Sequence, residues 1–213
     1  MAVTMSSLIK SSLDKMNVAS ARFGGLGTFF LGGAKLPAAG SISALAGIRY
    51  SISPALASTT AVHAAITCPT TGTTLVTTGI TNPDVPRLLS VTGNQLTVTG
   101  NVILGGTDIN GASITDTVAS SGTSTVASAK AFATLTSITV PTRGAASDAI
   151  SVGTYATVGL PVILNQAGNV LAKTFDGSAD AGTVTAGAAV SGNLYAAAGT
   201  FDGAKVLSLD ILV

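Results

Sequence analysis

The scarcity of charge constrains this chain more than any other feature. Charged residues make up 9% of its 213 residues, and all nine acidic residues are aspartate, whereas ordinary globular proteins carry about 25%. A free monomer needs exposed charge to stay soluble. Either threonine, serine and asparagine side chains solvate the surface, or neighbours in an assembly cover much of it. We favour the second interpretation, because the cores of protein interfaces are depleted in charge.

The residue types predict strands rather than helices. Glutamate is absent and lysine and arginine are few, whereas threonine and valine are abundant and suit a pleated sheet. A net charge of +1 with scattered basic residues provides no basic stripe, so we expect no nucleic-acid partner. We also expect no membrane partner, because no run of about 18 apolar residues occurs.

Residues 1–50 differ in pattern from the rest of the chain. Ser6 or Ser7 can cap a helix over residues 1–23, and residues 24–48 are rich in glycine yet too apolar for a solvated linker. The pattern predicts an N-terminal helix followed by an extended Gly-rich arm. The helix packs either on its own domain or on a partner. The apolar candidates for anchoring the arm to a partner are Leu8, Leu13, Met16, Phe23, Phe29, Phe30 and Leu31.

The pattern of residues 51–213 predicts one mainly β domain. Short apolar or alternating runs are separated by Gly, Asn, Asp and Pro, and roughly eight to ten strands at this spacing predict a β-sandwich or jelly-roll-like domain. A break near residues 160–168 leaves open a division into two lobes. The candidate strands are Leu75–Thr78, Arg87–Thr92, Leu96–Leu104, Ser113–Ala119, Lys130–Val140, Ala149–Val152, Val170–Phe175, Thr183–Val190, Asn193–Ala197 and Lys205–Leu212.

Two of these strands carry a clear alternation. In Lys205–Leu212 the leucines and isoleucine alternate with more polar residues, which predicts a strand with one buried face. Within the other strand, the alternation over Ala131–Val140 predicts that Leu135 lies on the opposite face from five other side chains. These five are Phe132, Thr134, Thr136, Ile138 and Val140.

Three aspartate-containing segments predict tight turns. Asp176-Gly177 and Asp202-Gly203 each follow a Thr-Phe pair, and Asp-Gly favours left-handed turn conformations. The segment 108–111, Asp-Ile-Asn-Gly, resembles the start of a calcium loop. The chain has no glutamate for the twelfth loop position, so a turn between strands is the favoured interpretation.

The residues that could carry chemistry are sparse. The sole histidine, His63, lies in an apolar run and is interpreted as a partly buried structural residue. Cys68 is the sole cysteine, so an intrachain disulfide is excluded, and we interpret it as a small apolar core residue. One histidine and one cysteine cannot form an ordinary structural zinc site. We therefore predict no catalytic residues, no cofactor and no metal site, and a protein that is not an enzyme.

A further set of segments consists of characteristic turn and strand patterns: Thr81–Arg87, Val98–Val102, Gly106–Gly111, Lys130–Phe132 and Ser137–Pro141. Together these segments resemble a family of tailed-bacteriophage virion structural proteins, of the capsid decoration (cement) or head-fibre type. The resemblance covers about residues 55–160 and rests on turn and strand patterns. It implies β-sandwich packing and a place in a virion, and it brings no catalytic residue.

The expected function is that of a structural virion protein, first of all a capsid decoration protein that binds the major capsid lattice and stabilises the shell. Its expected place is the capsid exterior, after assembly in the host cytoplasm. The expected partners are the major capsid protein and copies of the chain itself, as a trimer or another homo-oligomer. The alternatives are a tail-tube or tail-fibre subunit and a bacterial surface or adhesin module. A polysaccharide depolymerase is least favoured, because aromatic residues make up only 4% of the chain.

Overall fold

The computed structural model describes residues 47–213 and two short strands before them, β1 (Ala21–Arg22) and β2 (Thr28–Phe29), which pair antiparallel. The helix predicted over residues 1–23 does not extend through β1, because the backbone there is paired with β2. The remainder of the predicted helix and nearly all of the predicted arm lie outside the described residues.

Nearly all the regular secondary structure of the body that begins at residue 47 is β-strand, which confirms the prediction of a mainly β fold. Two single-turn 3-10 helices interrupt it, at Ala167–Asn169 and Val190–Gly192. The strands are β3 (Gly47–Ile52), β4 (His63–Thr67), β5 (Thr74–Val76), β6 (Arg87–Gly93), β7 (Thr99–Thr107), β8 (Ser113–Ser121), β9 (Val126–Phe132), β10 (Thr134–Val140), β11 (Ala149–Gly159), β12 (Val170–Phe175), β13 (Ser178–Ala179), β14 (Thr183–Thr185), β15 (Leu194–Ala196) and β16 (Leu207–Leu212).

The strands of the body form three sheets. The first sheet has the order β5-β10-β7-β8, and the central sheet has the order β14-β15-β11-β6-β9 with β4 also paired to β11. The third sheet, here called the terminal sheet, has the order β13-β12-β16-β3. Strand β3 runs across the domain boundary predicted between residues 50 and 51. That boundary, and the possible division near residues 160–168, stay predictions.

Two hydrophobic cores lie between these sheets. The first core is filled from both the first and the central sheet, with Leu104 and Ile138 on one side and Leu89 and Ile150 on the other, so these sheets pack as a sandwich. The second core lies under the terminal sheet. Its buried members are Val158, Leu160, Leu164, Val170, Tyr195, Phe201, Leu207, Leu209 and Ile211. Strand β11 contributes to both cores.

The strand predicted over Lys130–Val140 is in fact two strands, β9 and β10, which belong to different sheets and meet at Ala133. A β-bulge in β10 also shifts the register against β7 between Leu135 and Ser137. Because a bulge inserts an extra residue, Leu135 lies in the first core together with Ile138 and Val140. The prediction that Leu135 faces away from them was wrong for this reason.

A close crossing holds the segment between β3 and β4 against the central sheet. The backbone N–H of Thr154 donates to the carbonyl of Ser58 at 2.8 Å, and the N–H of Ser58 donates to the Thr154 hydroxyl at 3.2 Å. A Cβ atom at Gly153 would lie 1.9 Å from the Ser58 carbonyl oxygen. Only glycine therefore allows the two backbones to approach this closely.

Candidate interaction surface

The predicted anchor residues are not among the side chains that the structure describes. Phe29 is described only through its backbone in β2. The role of the predicted anchors therefore stays a prediction. The others, which lie outside the described residues, are Leu8, Leu13, Met16, Phe23, Phe30 and Leu31.

The outer face of the first sheet presents a row of side chains that crosses all four strands. Thr139 of β10 is the register partner of Leu75 in β5 and of Ile103 in β7, and Ile103 is opposite Thr117 in β8. Leu75 and Ile103 are 63% and 41% exposed. Along this row the exposed apolar side chains of Leu75 and Ile103 therefore alternate with the side chains of Thr139 and Thr117.

The rest of this face is small and uncharged, and we call it the uncharged face. Strand β8 exposes alternate residues from end to end, and β7 places Asn101 opposite Ala119 and Gly105 opposite Thr115. The exposed residues of β8 are Ser113, Thr115, Thr117, Ala119 and Ser121.

The four strands of the first sheet contain a single charged residue, Asp116. Its half-buried carboxylate turns away from the uncharged face and accepts hydrogen bonds from the backbone N–H groups of Ala129 and Lys130, at 2.6 and 3.1 Å. The Lys130 ammonium group donates in turn to the carbonyl of Thr115 at 2.6 Å. These bonds tie β8 to β9, so the β8 edge is occupied by the chain's own side chains and is poorly suited to pairing with another strand.

The outer face of the terminal sheet has the opposite character. Arg49 on β3 makes a two-pronged ion pair with Asp210 on β16, at 2.7 and 2.9 Å, and the Arg49 side chain is 71% exposed. The guanidinium group holds the pKa of Asp210 below its usual range. Ser51 and Ser208 share a hydrogen bond of 2.7 Å beside this pair. An exposed ion pair of this kind contributes little to stability in water, and covering it with a partner would remove two charges from water.

Arg87 forms a buried polar centre where the two cores meet. Its side chain is fully buried. Its Nε donates to the carbonyl of Tyr155 at 2.9 Å, and its Nη1 donates to the carbonyl of Ala55 at 3.0 Å and to Asp84 at 2.9 Å. Its Nη2 has no partner among the described residues, and its guanidinium carbon lies 5.9 Å from the centre of the Phe201 ring.

The sequence of the strand explains this arrangement only in part. Arg87 begins β6, and the pairing of β6 with β11 shifts register between Thr154 and Val158. That irregularity takes Tyr155 out of the ladder and leaves its carbonyl available to accept from Arg87. Sequence reasoning missed this centre, because the isolated arginine carries no signal of burial.

A second polar cluster fixes the loops around β15. The buried hydroxyl of Tyr195 donates to Asp180, and burial, then this bond, raises the pKa of Tyr195. The fully buried Asn193 accepts from the N–H groups of Leu164 and Gly187 and donates to two carbonyls. By contrast, the buried Tyr50 hydroxyl has no partner among the described residues, and burial raises the pKa of Tyr50 to about 12. These groups act structurally.

The three residues that the sequence analysis considered for chemistry, His63, Cys68 and Asp108, lie in a strand, in the first core and in a turn. His63 is half-buried in β4, and Cys68 is buried in the first core, where burial, then the charge of Asp148, raises the pKa of its thiol. Asp108 accepts from the N–H groups of Asn110 and Ala112, at 2.9 and 3.0 Å. This is the predicted turn, and it joins β7 to β8.

In residues 47–213 no three histidine, cysteine or aspartate side chains converge as metal ligands would. The same part of the chain contains no helix with the length and apolar character needed to cross a bilayer. Comparisons with protein-family models, with curated proteins and with solved structures gave no match to this chain. Inference about its role therefore starts from the surfaces described above.

Proposed function

We propose that this chain is a structural virion protein, of the capsid decoration type, that binds the major capsid lattice from outside and stabilises the shell. The observation that carries the proposal is the uncharged face of the first sheet. Its four strands contain one charged residue, and that residue, Asp116, is bonded to β9. A surface of this kind is suited to being covered by a neighbouring protein chain in an assembly, while residues 1–50 are the proposed contact with the shell.

The physical reason is the cost of removing groups from water. Burying an unpaired charge is far more costly than burying a hydroxyl or a methyl group. The uncharged face exposes Leu75 and Ile103 among threonines, serines and alanines. Covering it therefore releases water from apolar area without leaving an unpaired charge. Across the face, hydroxyl groups can exchange their bonds to water for bonds to a partner.

Three aspartates that could act in catalysis, Asp84, Asp148 and Asp180, are already engaged in hydrogen bonds within the body. Asp84 is bonded to Arg87 and to the N–H of Ala55, and Asp180 accepts from Tyr195. Asp148 accepts from the Thr97 hydroxyl and from two backbone N–H groups. These arrangements hold loops in place, which supports a structural rather than an enzymatic role.

The placement in a virion is supported by the resemblance of residues 55–160 to phage structural proteins, and residues 1–50 are proposed as the anchor to the capsid lattice. The scarcity of charge over the whole chain, 9% of residues, is in keeping with a protein that is surrounded by neighbours. A tail-tube or tail-fibre subunit would use similar surfaces, so the experiment must separate heads from tails.

The deciding experiment is quantitative mass spectrometry of purified particles separated into heads and tails. We expect this chain in the head fraction in tens to hundreds of copies, as symmetric decoration of a shell requires. Its recovery with tails would replace the proposal with a tube or fibre role. Its absence from both fractions would overturn the virion assignment.

A further inference from the structure

We propose that the uncharged face packs against the same face of a second copy of this chain. The proposal deepens the proposed function by naming the partner of that face. The proposed function enters only in saying that the copies meet on a virion. The contact itself can be tested with the purified chain.

The charge distribution argues for a like partner. A charged partner surface pressed against the uncharged face would lose its hydration and gain no counter-charge, which is unfavourable. Matching surfaces must therefore also lack charge. The terminal sheet does not qualify, because Arg49 and Asp210 lie on its outer face. The central sheet contains Lys130 on β9 as well as the buried Arg87 on β6. Among the three sheets of residues 47–213, the first sheet therefore has the outer face with the least charge, and the surface that best matches it is the same face of another copy.

The row across the centre of the face suits a two-fold contact. In such a contact the same patch is used on both copies, so a central residue meets its own counterpart or a near neighbour. Ile103 lies on β7, one of the two inner strands of the first sheet, and has threonines opposite it in both neighbouring strands. Packing two copies about an axis near Ile103 places the two Ile103 side chains at the centre and threonine hydroxyls on either side of them, in keeping with the apolar core and polar rim of protein interfaces.

The size of the face predicts a weak contact. At about 3.3 Å per residue along a strand and about 4.8 Å between strands, the four strands offer roughly 450 Å² per copy. A pair then buries roughly 900 Å², which is below the range of about 1,200–2,000 Å² for stable complexes. Self-association in solution is therefore in the micromolar to millimolar range, and it becomes effective when many copies are held on one lattice.

Thr117→Lys tests the proposal on the full-length chain. Residue 117 is exposed at the middle of β8, so a lysine there leaves the fold intact but places like charges in the contact. The matched control is Thr183→Lys, because Thr183 is an exposed strand threonine on β14, away from the uncharged face. A second variant, Ile103→Thr, removes the central apolar group without adding charge.

The measurement is sedimentation velocity from about 10 µM to about 1 mM protein, the range in which a contact of this size associates. We expect the wild-type chain and Thr183→Lys to self-associate alike, Thr117→Lys to associate at least about tenfold more weakly, and Ile103→Thr to lie between them. Urea unfolding midpoints of the three variants confirm that the body remains folded.

Two results would overturn the proposal: a wild-type chain that stays monomeric up to about 1 mM, or a Thr117→Lys variant that associates as the wild type does. Neither result bears on whether the chain is found in heads. Conversely, a chain missing from particles would sink the virion assignment while leaving a self-association blocked by Thr117→Lys intact. The two proposals therefore fail separately.

Discussion

The two cores of the body differ in what fills them. The first core is aliphatic apart from Phe132 and Cys68, and the sheet that covers it turns an uncharged face outward. The second core contains Tyr195 and Phe201, and buried polar groups line its edges, Arg87 and Asn193 among them. The sheet that covers the second core carries an ion pair on its outside.

This difference shows two ways of holding strands together. Aliphatic packing has no preferred direction, so the first core depends on the alternation of its strands and on volume. Hydrogen bonds are directional, and a buried donor left without a partner is costly. The second core therefore depends on a few specific bonds, which mutation can remove one at a time.

Among the variants that test this difference between the cores, removal of the buried Arg87 side chain should lower the free energy of unfolding the most. Arg87→Ala leaves the carboxylate of Asp84 and the carbonyls of Ala55 and Tyr155 without their donor. We expect a loss of about 3–5 kcal/mol in the free energy of unfolding, as for other broken buried pairs. Urea denaturation of the full-length chain measures this loss.

The matched control is the exposed Arg143→Ala, which should stay within about 0.5 kcal/mol of the wild type. A loss below about 1 kcal/mol for Arg87→Ala would show that this polar centre is dispensable. The contrast between the two cores would then lose its main support.

Two tyrosines of the second core provide a sharper test, because the same change should have different outcomes. Tyr195→Phe removes the hydroxyl that donates to Asp180, and we expect a destabilisation of about 1–2 kcal/mol. Tyr50→Phe removes a buried hydroxyl that has no partner among the described residues, so it should be neutral or slightly stabilising. Urea midpoints of both variants decide the question, and equal losses would contradict the role given to the Tyr195 bond.

Acid should lower the stability of the region around the first core through the carboxylate of Asp148. The Thr97 hydroxyl, followed by the backbone N–H groups of Ala145 and Gly144, holds the pKa of Asp148 below its ordinary value of 3.8. A group with a lowered folded-state pKa stabilises the fold above its unfolded pKa, and this contribution is lost as the pH falls through the folded pKa. The urea midpoint should therefore fall as the pH drops below about 4.

Asp148→Asn isolates this contribution. The variant should be less stable than the wild type at neutral pH and should lose less stability on acidification. Asp202 and Asp210, whose pKa values are also lowered, leave it a residual pH dependence. Parallel stability–pH curves for the variant and the wild type would rule out Asp148 as the source.

The parts of the fold that sequence reasoning predicted are those in which local pattern and tertiary structure agree. In Leu207–Leu212 each alternate residue is buried as the alternation predicts. Asp176 and Gly177 both have positive φ, 51° and 78°, as an Asp-Gly hairpin turn requires. Strand β3 carries the same kind of alternation, but the boundary drawn at residue 50 cut through it. Strand β4 lacks alternation, because Ala64 and Ala65 are both exposed.

The surfaces and polar centres could not be predicted, because they depend on partners distant in the chain. The bond from Arg87 to Tyr155 joins residues 68 positions apart, and it exists only because of an irregularity in the pairing of β6 with β11. Predicting the uncharged face would have required knowing how the four strands of the first sheet are paired and in which register. Its local signal was the regular Ser-x-Thr-x-Thr spacing that begins at Ser113, but that spacing does not reveal which face is outward.

Strand β11 has a mechanical consequence. Its eleven residues place Ile150 and Val152 in the first core and Val158 in the second, and β4, β6 and β15 all pair with it. Pulling the first core away from the second would therefore put tension on the backbone of this one continuous strand. The hydrogen bonds that pair β11 with β4, β6 and β15 would carry the same load.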